Sequence, residues 1–184
     1  PLEGAVYLGG ASNVAANVAS IGCRPLLLGL AGVRCAPGEV YGLGRQVLER
    51  FRGLCSERGV ELHALEVEDR FFIRKRRYVA DRQHVFRVDA VEEEDAAPEY
   101  YDRMLAAADK LLDTAGALLV IEMGHGTVTP QVAQELIARA RKRRLPVLGD
   151  SQMGRLGWLK GCSLLCPNVK ELRQACAEFC PLVS

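Results

Sequence analysis

The sequence lacks any hydrophobic run long enough to cross a membrane, and no signal peptide is visible. It also lacks an excess of either charge, since its net charge is +1. The near-neutral balance argues against a dedicated nucleic-acid binder. We therefore predict neither a membrane nor a direct nucleic-acid partner. The 184 residues, of which 49% are hydrophobic and 26% are charged, are typical of a globular protein with a sizeable core.

The cysteines are odd in number and are scattered through apolar segments, which favours reduced thiols. The seven are Cys23, Cys35, Cys55, Cys162, Cys166, Cys176 and Cys180. We expect a cytoplasmic location or an equivalent reducing compartment such as an organelle matrix. Two CxxxC pairs near the end leave structural zinc open as an alternative, but zinc sites usually have the shorter CxxC spacing, and we predict no metal site. The chain starts at Pro1 instead of Met, and we expect residues to be missing at both ends.

Strands and helices alternate along most of the chain. Residues 25–33 form a continuous apolar run, residues 39–58 have helical periodicity, and residues 60–65 return to a strand pattern. A strand–helix–strand unit indicates a parallel sheet. The same rhythm resumes after Pro98, with a helix capped by Thr129 and later strands predicted at residues 117–121, 146–149 and 163–166. We predict a three-layer, mainly parallel α/β fold, with residues 1–184 forming part of one domain.

Residues 70–89 break this rhythm, because apolar and basic side chains are mixed in imperfect alternation. Two strands joined around residues 81–83 fit this pattern best. We predict an exposed hairpin that forms a small β lid. Its basic run at residues 74–77 is more typical of a solvated strand face than of a phosphate site.

The amino-terminal stretch carries the first candidate site. Gly9 and Gly10 end a short apolar run, and a helix of small residues follows them up to Gly22. Asn13 and Asn17 are four residues apart, so their amides lie one turn apart on the same face. Amides placed beside glycines can hydrogen-bond the hydroxyl groups of a polyol that approaches the backbone closely.

Ordinary helix structure offers an alternative explanation of the same residues. Ser12 or Asn13 would then cap the helix, while the alanines pack tightly. In either case, helical spacing predicts an apolar stripe formed by Val14, Val18 and Ile21.

A second group of polar residues follows the later strands. Glu122, Asp150 and the pair Asn168 and Glu171 each come at or just after a predicted strand end. Ligands of open α/β sheets bind outside the carboxyl ends of the strands. The alternative is again local, since Asn168-x-x-Glu171 is close to a capping box.

Two segments resemble the ribokinase-like (PfkB) carbohydrate kinases. Residues 9–22 are similar to the family pattern GGxxxNxAxxxAxLG, most closely in its heptose-7-phosphate kinase branch, and residues 167–172 resemble PNxxEL. The resemblance implies an amino-terminal portion of that fold, with ATP and Mg²⁺ as cofactors and a sugar or sugar phosphate as substrate. It implies sugar binding by Gly9, Gly10, Asn13 and, less firmly, Asn17. It implies nucleotide and magnesium binding by Asn168, Glu171 and Asp150.

The chain departs from the family pattern at two segments and lacks a third. Residues 122–126 stand where the heptose branch has DYxKG, with Glu122 in place of Asp and His125 in place of Lys. Residues 150–152 stand where it has DPK, with Ser151 and Gln152 in place of Pro and Lys. Both changes remove a cation near the expected phosphates. The catalytic GxGD segment does not occur in these residues, so we predict no catalytic residue in this chain and no phosphorylation at an enzymatic rate.

These observations leave two main hypotheses. The first is part of an ATP-dependent kinase that phosphorylates a sugar or sugar phosphate. The second is a catalytically inactive, kinase-derived structural subunit of a larger assembly, in which the altered segments would be tolerated. In either case a homodimer could form through the β lid. A Rossmann dehydrogenase is a weaker third option, because no GxGxxG follows the first strand.

Overall fold

The computed structural model describes residues 5–35, 43–80 and 83–179. The chain forms two compact units, Pro1–Glu94 and Asp95–Ser184. Helices alternate with strands, and the strands of two of the three small sheets run parallel, which confirms the predicted α/β class. That residues 1–184 form part of a single domain stays a prediction. Within the described ranges, no helix is both long and apolar enough to span a membrane.

The first unit is built around a parallel pair of strands with helices packed on it. Its elements are α1 (Gly10–Ser20), β1 (Leu26–Arg34), α2 (Leu43–Glu57), β2 (Glu61–Phe71), β3 (Arg74–Ala80) and β4 (Gln83–Ala90). β1 and β2 are parallel, as the strand–helix–strand pattern predicts. The predicted helix at residues 39–58 is confirmed from residue 43 onward, and residues 39–42 lie outside the described residues.

The α2 helix packs closely on β1. Leu48 of α2 is buried with Ala31 and Val33 of the strand. Gly44 lies at the closest approach, where a Cβ atom would be 2.1 Å from the carbonyl oxygen of Val33. The absence of a side chain at Gly44 therefore lets the helix lie against the strand backbone.

The predicted lid is a hairpin, but it starts later than expected. β2 continues to Phe71 instead of ending at residue 65, because it stays paired with β1 until Phe71 lies opposite Arg34. The hairpin is therefore β3 and β4, which pair antiparallel, and residues 70–71 belong to the parallel pair. Of the predicted turn at residues 81–83, residues 81–82 lie outside the described residues, and Gln83 is the first residue of β4. Tyr78 and Phe86 stack across the hairpin with their ring centroids 4.3 Å apart.

The second unit repeats the α/β pattern with a three-stranded parallel sheet in the order β5-β6-β7. Its elements are α3 (Pro98–Leu112), β5 (Leu118–Glu122), α4 (Pro130–Lys142), β6 (Val147–Ser151), a 3₁₀ turn (Leu156–Leu159), β7 (Leu164–Leu165) and α5 (Val169–Phe179). β7 has two residues instead of the predicted four, although backbone hydrogen bonds from Ser163 and Cys166 to β6 extend the contact.

The predicted cap and the predicted buried face of α4 are both confirmed. The N–H of Val132 donates to the hydroxyl of Thr129 at 3.2 Å, so Thr129 caps α4 as predicted. The inward face of α4 is also as predicted, with Val132, Leu136, Ile137 and Ala140 all buried. This face packs on β5, β6 and the 3₁₀ turn through Val120, Val147 and Leu159. The packing fixes the strands whose carboxyl ends carry the second candidate site.

Candidate functional site

The glycines at the start of α1 set its geometry. Gly9 is exposed and precedes the first helical residue, and Gly10 has a φ of 53°, a left-handed value that favours glycine. No side chain caps the helix, so the prediction that Ser12 or Asn13 is the cap is wrong. The hydroxyl of Ser12 instead donates to the carbonyl of Gly9 at 2.6 Å. The physical reason is that the backbone of Gly9 and Gly10 turns the chain into the helix, so α1 begins two residues before Ser12.

The side-chain amides of the two asparagines in α1 are exposed to solvent. Asn13 and Asn17 are both exposed, one turn apart on α1. Within the part of the chain that the structure describes, neither side-chain amide forms a hydrogen bond to another residue. Gly9, Gly10, Asn13 and Asn17 thus lie together at one end and one face of α1, which is the arrangement that the resemblance implies for a sugar site.

The buried face of α1 differs from the predicted stripe. Ser12 and Ala15 are the buried residues of this helix, and Ala15 packs against Cys55 and Val60. Val14 and Val18 are only half-buried, and Ile21 is 77% exposed. The stripe prediction is wrong at Ile21, because the helix ends at Ser20 and the chain turns away there.

The second candidate site lies at the carboxyl ends of β5 and β6. Their register places Ile121 opposite Asp150 and Glu122 opposite Ser151. Glu122 is 1% exposed and Ser151 is fully buried. The hydroxyl of Ser151 donates to Oε2 of Glu122 at 2.6 Å, and the N–H of Gly124 donates to Oε1 at 2.6 Å. Glu122 is therefore a fixed part of the sheet edge, held by short bonds to both carboxyl oxygens.

Asp150, at the same edge, is half-buried and lies in a negative environment. Burial raises the pKa of its carboxyl group above the ordinary value of 3.8, and the charges of Glu171 and Glu122 raise it further, whereas a hydrogen bond from the Ser151 backbone lowers it. The charges of Glu171 and Glu122 therefore both act on Asp150 in the direction that disfavours its charged form. That these residues form one site stays a prediction.

Asn168 and Glu171 form the capping box that their spacing predicts. The side-chain oxygen of Asn168 accepts from the N–H of Lys170 at 2.9 Å and from that of Glu171 at 3.0 Å. In return, Oε2 of Glu171 accepts from the backbone N–H of Asn168 at 2.8 Å, and Oε1 accepts from its side-chain amide at 2.6 Å. The box fixes the start of α5 and holds the Glu171 carboxyl group in place.

Sequence reasoning missed Arg155, which follows β6. Its Nη1 atom lies 3.4 Å from Oε1 of Glu122, and its guanidinium carbon lies 4.5 Å from the ring centroid of Trp158. Its backbone N–H donates to the hydroxyl of Ser151 at 3.0 Å. No motif contains Arg155; the one signal was its position just after a strand that ends in a candidate residue.

The described residues contain no group of three metal-binding side chains close enough to hold a metal ion by themselves. Cys162 and Cys166, one of the CxxxC pairs, carry free thiols, and Cys180 of the other pair lies outside the described residues. His125 is half-buried and Gln152 is exposed. Gln152 donates its backbone N–H to the carbonyl of Glu122 at 3.0 Å, so this segment follows the sheet edge.

The raised pKa of Asp150 leads to a prediction about the stability of the folded protein. Because its pKa is raised, the charged form is disfavoured in the folded protein, and this cost appears as the pH rises through 3.8. The variant Asp150→Asn should therefore unfold at a higher urea concentration than the unmodified chain at pH 7, and the difference should vanish below pH 3.8. The control is Asp113→Asn, which removes an exposed partner of Arg143 and should not stabilise the protein. Equal or lower stability of Asp150→Asn at pH 7 would contradict the cost that burial and the neighbouring charges impose on the charged carboxyl group.

Comparisons with known proteins show what the chain is similar to. No protein-family model matches the chain. The bifunctional protein HldE of Geobacter sulfurreducens is 31% identical over 172 residues, which are 92% of this chain and 33% of that protein. The HldE protein of Gluconacetobacter diazotrophicus is 32% identical over 168 residues, or 91% of this chain and 32% of that protein. The chain thus spans about a third of the length of the curated relatives that it matches.

Among solved structures, phosphofructokinase-2 from Escherichia coli in complex with potassium superimposes with a TM-score of 0.65 at 22% identity. The match covers 90% of this chain and 50% of that one. At this identity the likeness concerns the fold, and it agrees with the parallel α/β units described above. Together, the sequence and structural matches confirm that this chain is similar to the ribokinase-like (PfkB) carbohydrate kinases and has part of their fold.

Proposed function

We propose that this chain is the sugar-binding part, and the beginning of the nucleotide-binding part, of an ATP-dependent kinase acting on a sugar or sugar phosphate. The observation that carries the proposal is the start of α1. Two exposed asparagine amides stand beside a glycine pair, and no capping role explains them. We assign Gly9, Gly10, Asn13 and Asn17 to the sugar, whose hydroxyl groups both donate and accept hydrogen bonds as amides do.

We propose that the nucleotide binds at the carboxyl end of β6 and the start of α5. Mg²⁺ in nucleotide sites is usually held by one or two carboxylates together with the phosphates of the substrate. Asp150 fits that role, since a cation beside it would offset the burial and the negative charges that raise its pKa. Glu171 and Asn168 use their side chains in the capping box. We propose that they fix the start of α5 at the phosphates, where Mg²⁺ would neutralise phosphate charge.

Partners of the whole protein belong to the same proposal. The apolar side chains Val85, Phe86 and Val88 of the hairpin are 60%, 51% and 48% exposed, which suits a homodimer through the β lid. The comparisons do not support the alternative of a kinase-derived structural subunit over the kinase interpretation.

The variant Asn13→Ala tests the sugar site. It should weaken binding of the sugar about fivefold, because a lost hydrogen bond costs on the order of 1 kcal/mol. The fold should be unaffected, since Asn13 is exposed and does not cap α1. The measurement is titration calorimetry of the chain with a panel of hexoses, pentoses and heptose phosphates.

Gln46→Ala provides the matched control, because it removes an exposed side-chain amide from α2. Its affinity for the same sugar should equal that of the unmodified chain. If Asn13→Ala binds the sugar as tightly as Gln46→Ala, the sugar site is not at α1. If the unmodified chain binds no member of the panel, the proposed function is wrong.

A further inference from the structure

Arg155 occupies a position that its ion pair with Glu122 does not explain. Both carboxyl oxygens of Glu122 already accept hydrogen bonds of 2.6 Å, from Ser151 and from Gly124. The Arg155 contact, at 3.4 Å, is much longer and shares an oxygen with the Gly124 bond. The buried carboxyl group is therefore satisfied without the arginine.

The arginine is nevertheless restrained. Its backbone N–H donates to the buried hydroxyl of Ser151, and its guanidinium carbon lies 4.5 Å from the ring centroid of Trp158. The contact to Glu122 limits the remaining freedom on one side. A guanidinium group that lies beside an aromatic ring and a buried carboxyl group has lost part of its conformational freedom before any ligand arrives.

Most of the hydrogen-bonding capacity of Arg155 remains unused. A guanidinium group has several N–H donors arranged in a planar fork. Nη1 is the atom that contacts a side-chain acceptor within the described ranges, and the side chain is 39% exposed. Arg155 follows β6, the strand whose carboxyl end carries Asp150. Such a fork matches the oxygens of a phosphate group, which accept hydrogen bonds in pairs.

We infer that Arg155 binds a phosphate group of the ligand at the carboxyl edge of β5 and β6. This inference rests on the proposed function, and it adds a residue that determines specificity for phosphorylated ligands. Arg155 supplies a permanent positive charge at this edge of the sheet. The phosphate belongs either to a nucleotide or to a sugar phosphate, since both present the same oxygens.

The test compares phosphorylated ligands with their unphosphorylated counterparts on the full chain. The ligands are ATP against adenosine and fructose 6-phosphate against fructose, with tripolyphosphate as a probe of the phosphate chain alone. Arg155→Gln should weaken binding of the phosphorylated ligand about 10- to 100-fold, because hydrogen bonds to charged groups are strong. Binding of the unphosphorylated counterpart should not change. Loss confined to ATP and tripolyphosphate assigns the nucleotide, and loss confined to fructose 6-phosphate assigns the sugar phosphate.

Two further variants separate this role from a structural one. Lys160→Gln removes an exposed cation just after the same 3₁₀ turn and should leave every affinity unchanged. Arg155→Lys keeps the charge but not the fork, so it should bind the phosphorylated ligand with intermediate affinity even if Arg155→Gln folds poorly. Equal affinities in the Arg155 variants and the unmodified chain would overturn the inference while leaving the sugar site intact. Failure of the unmodified chain to bind any phosphorylated ligand would overturn it too, and the Asn13→Ala titration reports on the proposed function separately.

Discussion

Replacing Glu122 with alanine should lower the free energy of unfolding by about 3 kcal/mol, because it leaves the N–H of Gly124 and the buried hydroxyl of Ser151 without their acceptor. Glu122 is 1% exposed, so water does not replace the lost carboxyl group easily. The substitution also opens a cavity at the end of β5. Urea denaturation followed by circular dichroism measures the change.

Two other substitutions serve as controls for the expected effect of Glu122→Ala. Glu122→Gln keeps the shape and one acceptor, and the Ser151 hydroxyl can turn to accept, so it should cost about half as much. Glu135→Ala removes a carboxylate that is 56% exposed and paired with Arg139 on the same helix. It should cost less than about 0.5 kcal/mol, as surface ion pairs usually do. A loss for Glu122→Ala as small as that for Glu135→Ala would show that the buried bonds at the sheet edge contribute little.

The variant Gly44→Ala should also be strongly destabilised, by about 2–3 kcal/mol. A Cβ atom at this position would lie 2.1 Å from the carbonyl oxygen of Val33 and 2.8 Å from that of Arg34. Both are backbone atoms, so no change of side-chain rotamer relieves the overlap. The α2 helix would have to move away from β1 and would weaken the packing of Leu48.

Gly53 on the same helix provides the control. It is exposed, and nothing lies within 4 Å of a Cβ atom built on it. Gly53→Ala should therefore stabilise the protein by about 0.5–1 kcal/mol, since alanine favours a helix more than glycine does. The two variants make the same chemical change in the same helix with opposite expected signs in urea denaturation. If Gly44→Ala were as stable as Gly53→Ala, the close approach of α2 to β1 would be wrong.

The local elements of this protein were predictable from the sequence. Thr129 caps α4 and Asn168 forms a capping box with Glu171, because these interactions join residues only three apart. The inward face of α4 follows from helical spacing alone. The parallel pairing of β1 and β2 follows from the strand–helix–strand pattern, since a long connection brings the chain back in the same direction.

Predictions that depended on neighbours distant in the sequence were less accurate. β2 runs six residues beyond its predicted end of Leu65, because its partner β1 continues beside it to Arg34. Ser12 and Asn13 have the composition of helix caps, but the backbone of Gly10 starts the helix before them. Ile21 has the right helical spacing for burial, yet the helix ends before it and nothing covers its side chain within the described residues.

The sequence by itself determined the α/β class, the position of most helices and strands, and which polar residues follow the strand ends. Only the tertiary structure decided how those residues act together. Glu122 meets Ser151 and Arg155 because the register of β5 on β6 places Glu122 opposite Ser151, across 29 and 33 residues of sequence. A register is strongly specified where one face of the sheet is buried, and here α4 packs on β5 and β6 through a shared set of buried side chains. A spacing rule describes residues within one element, so it cannot contain a contact that exists only after two strands have paired.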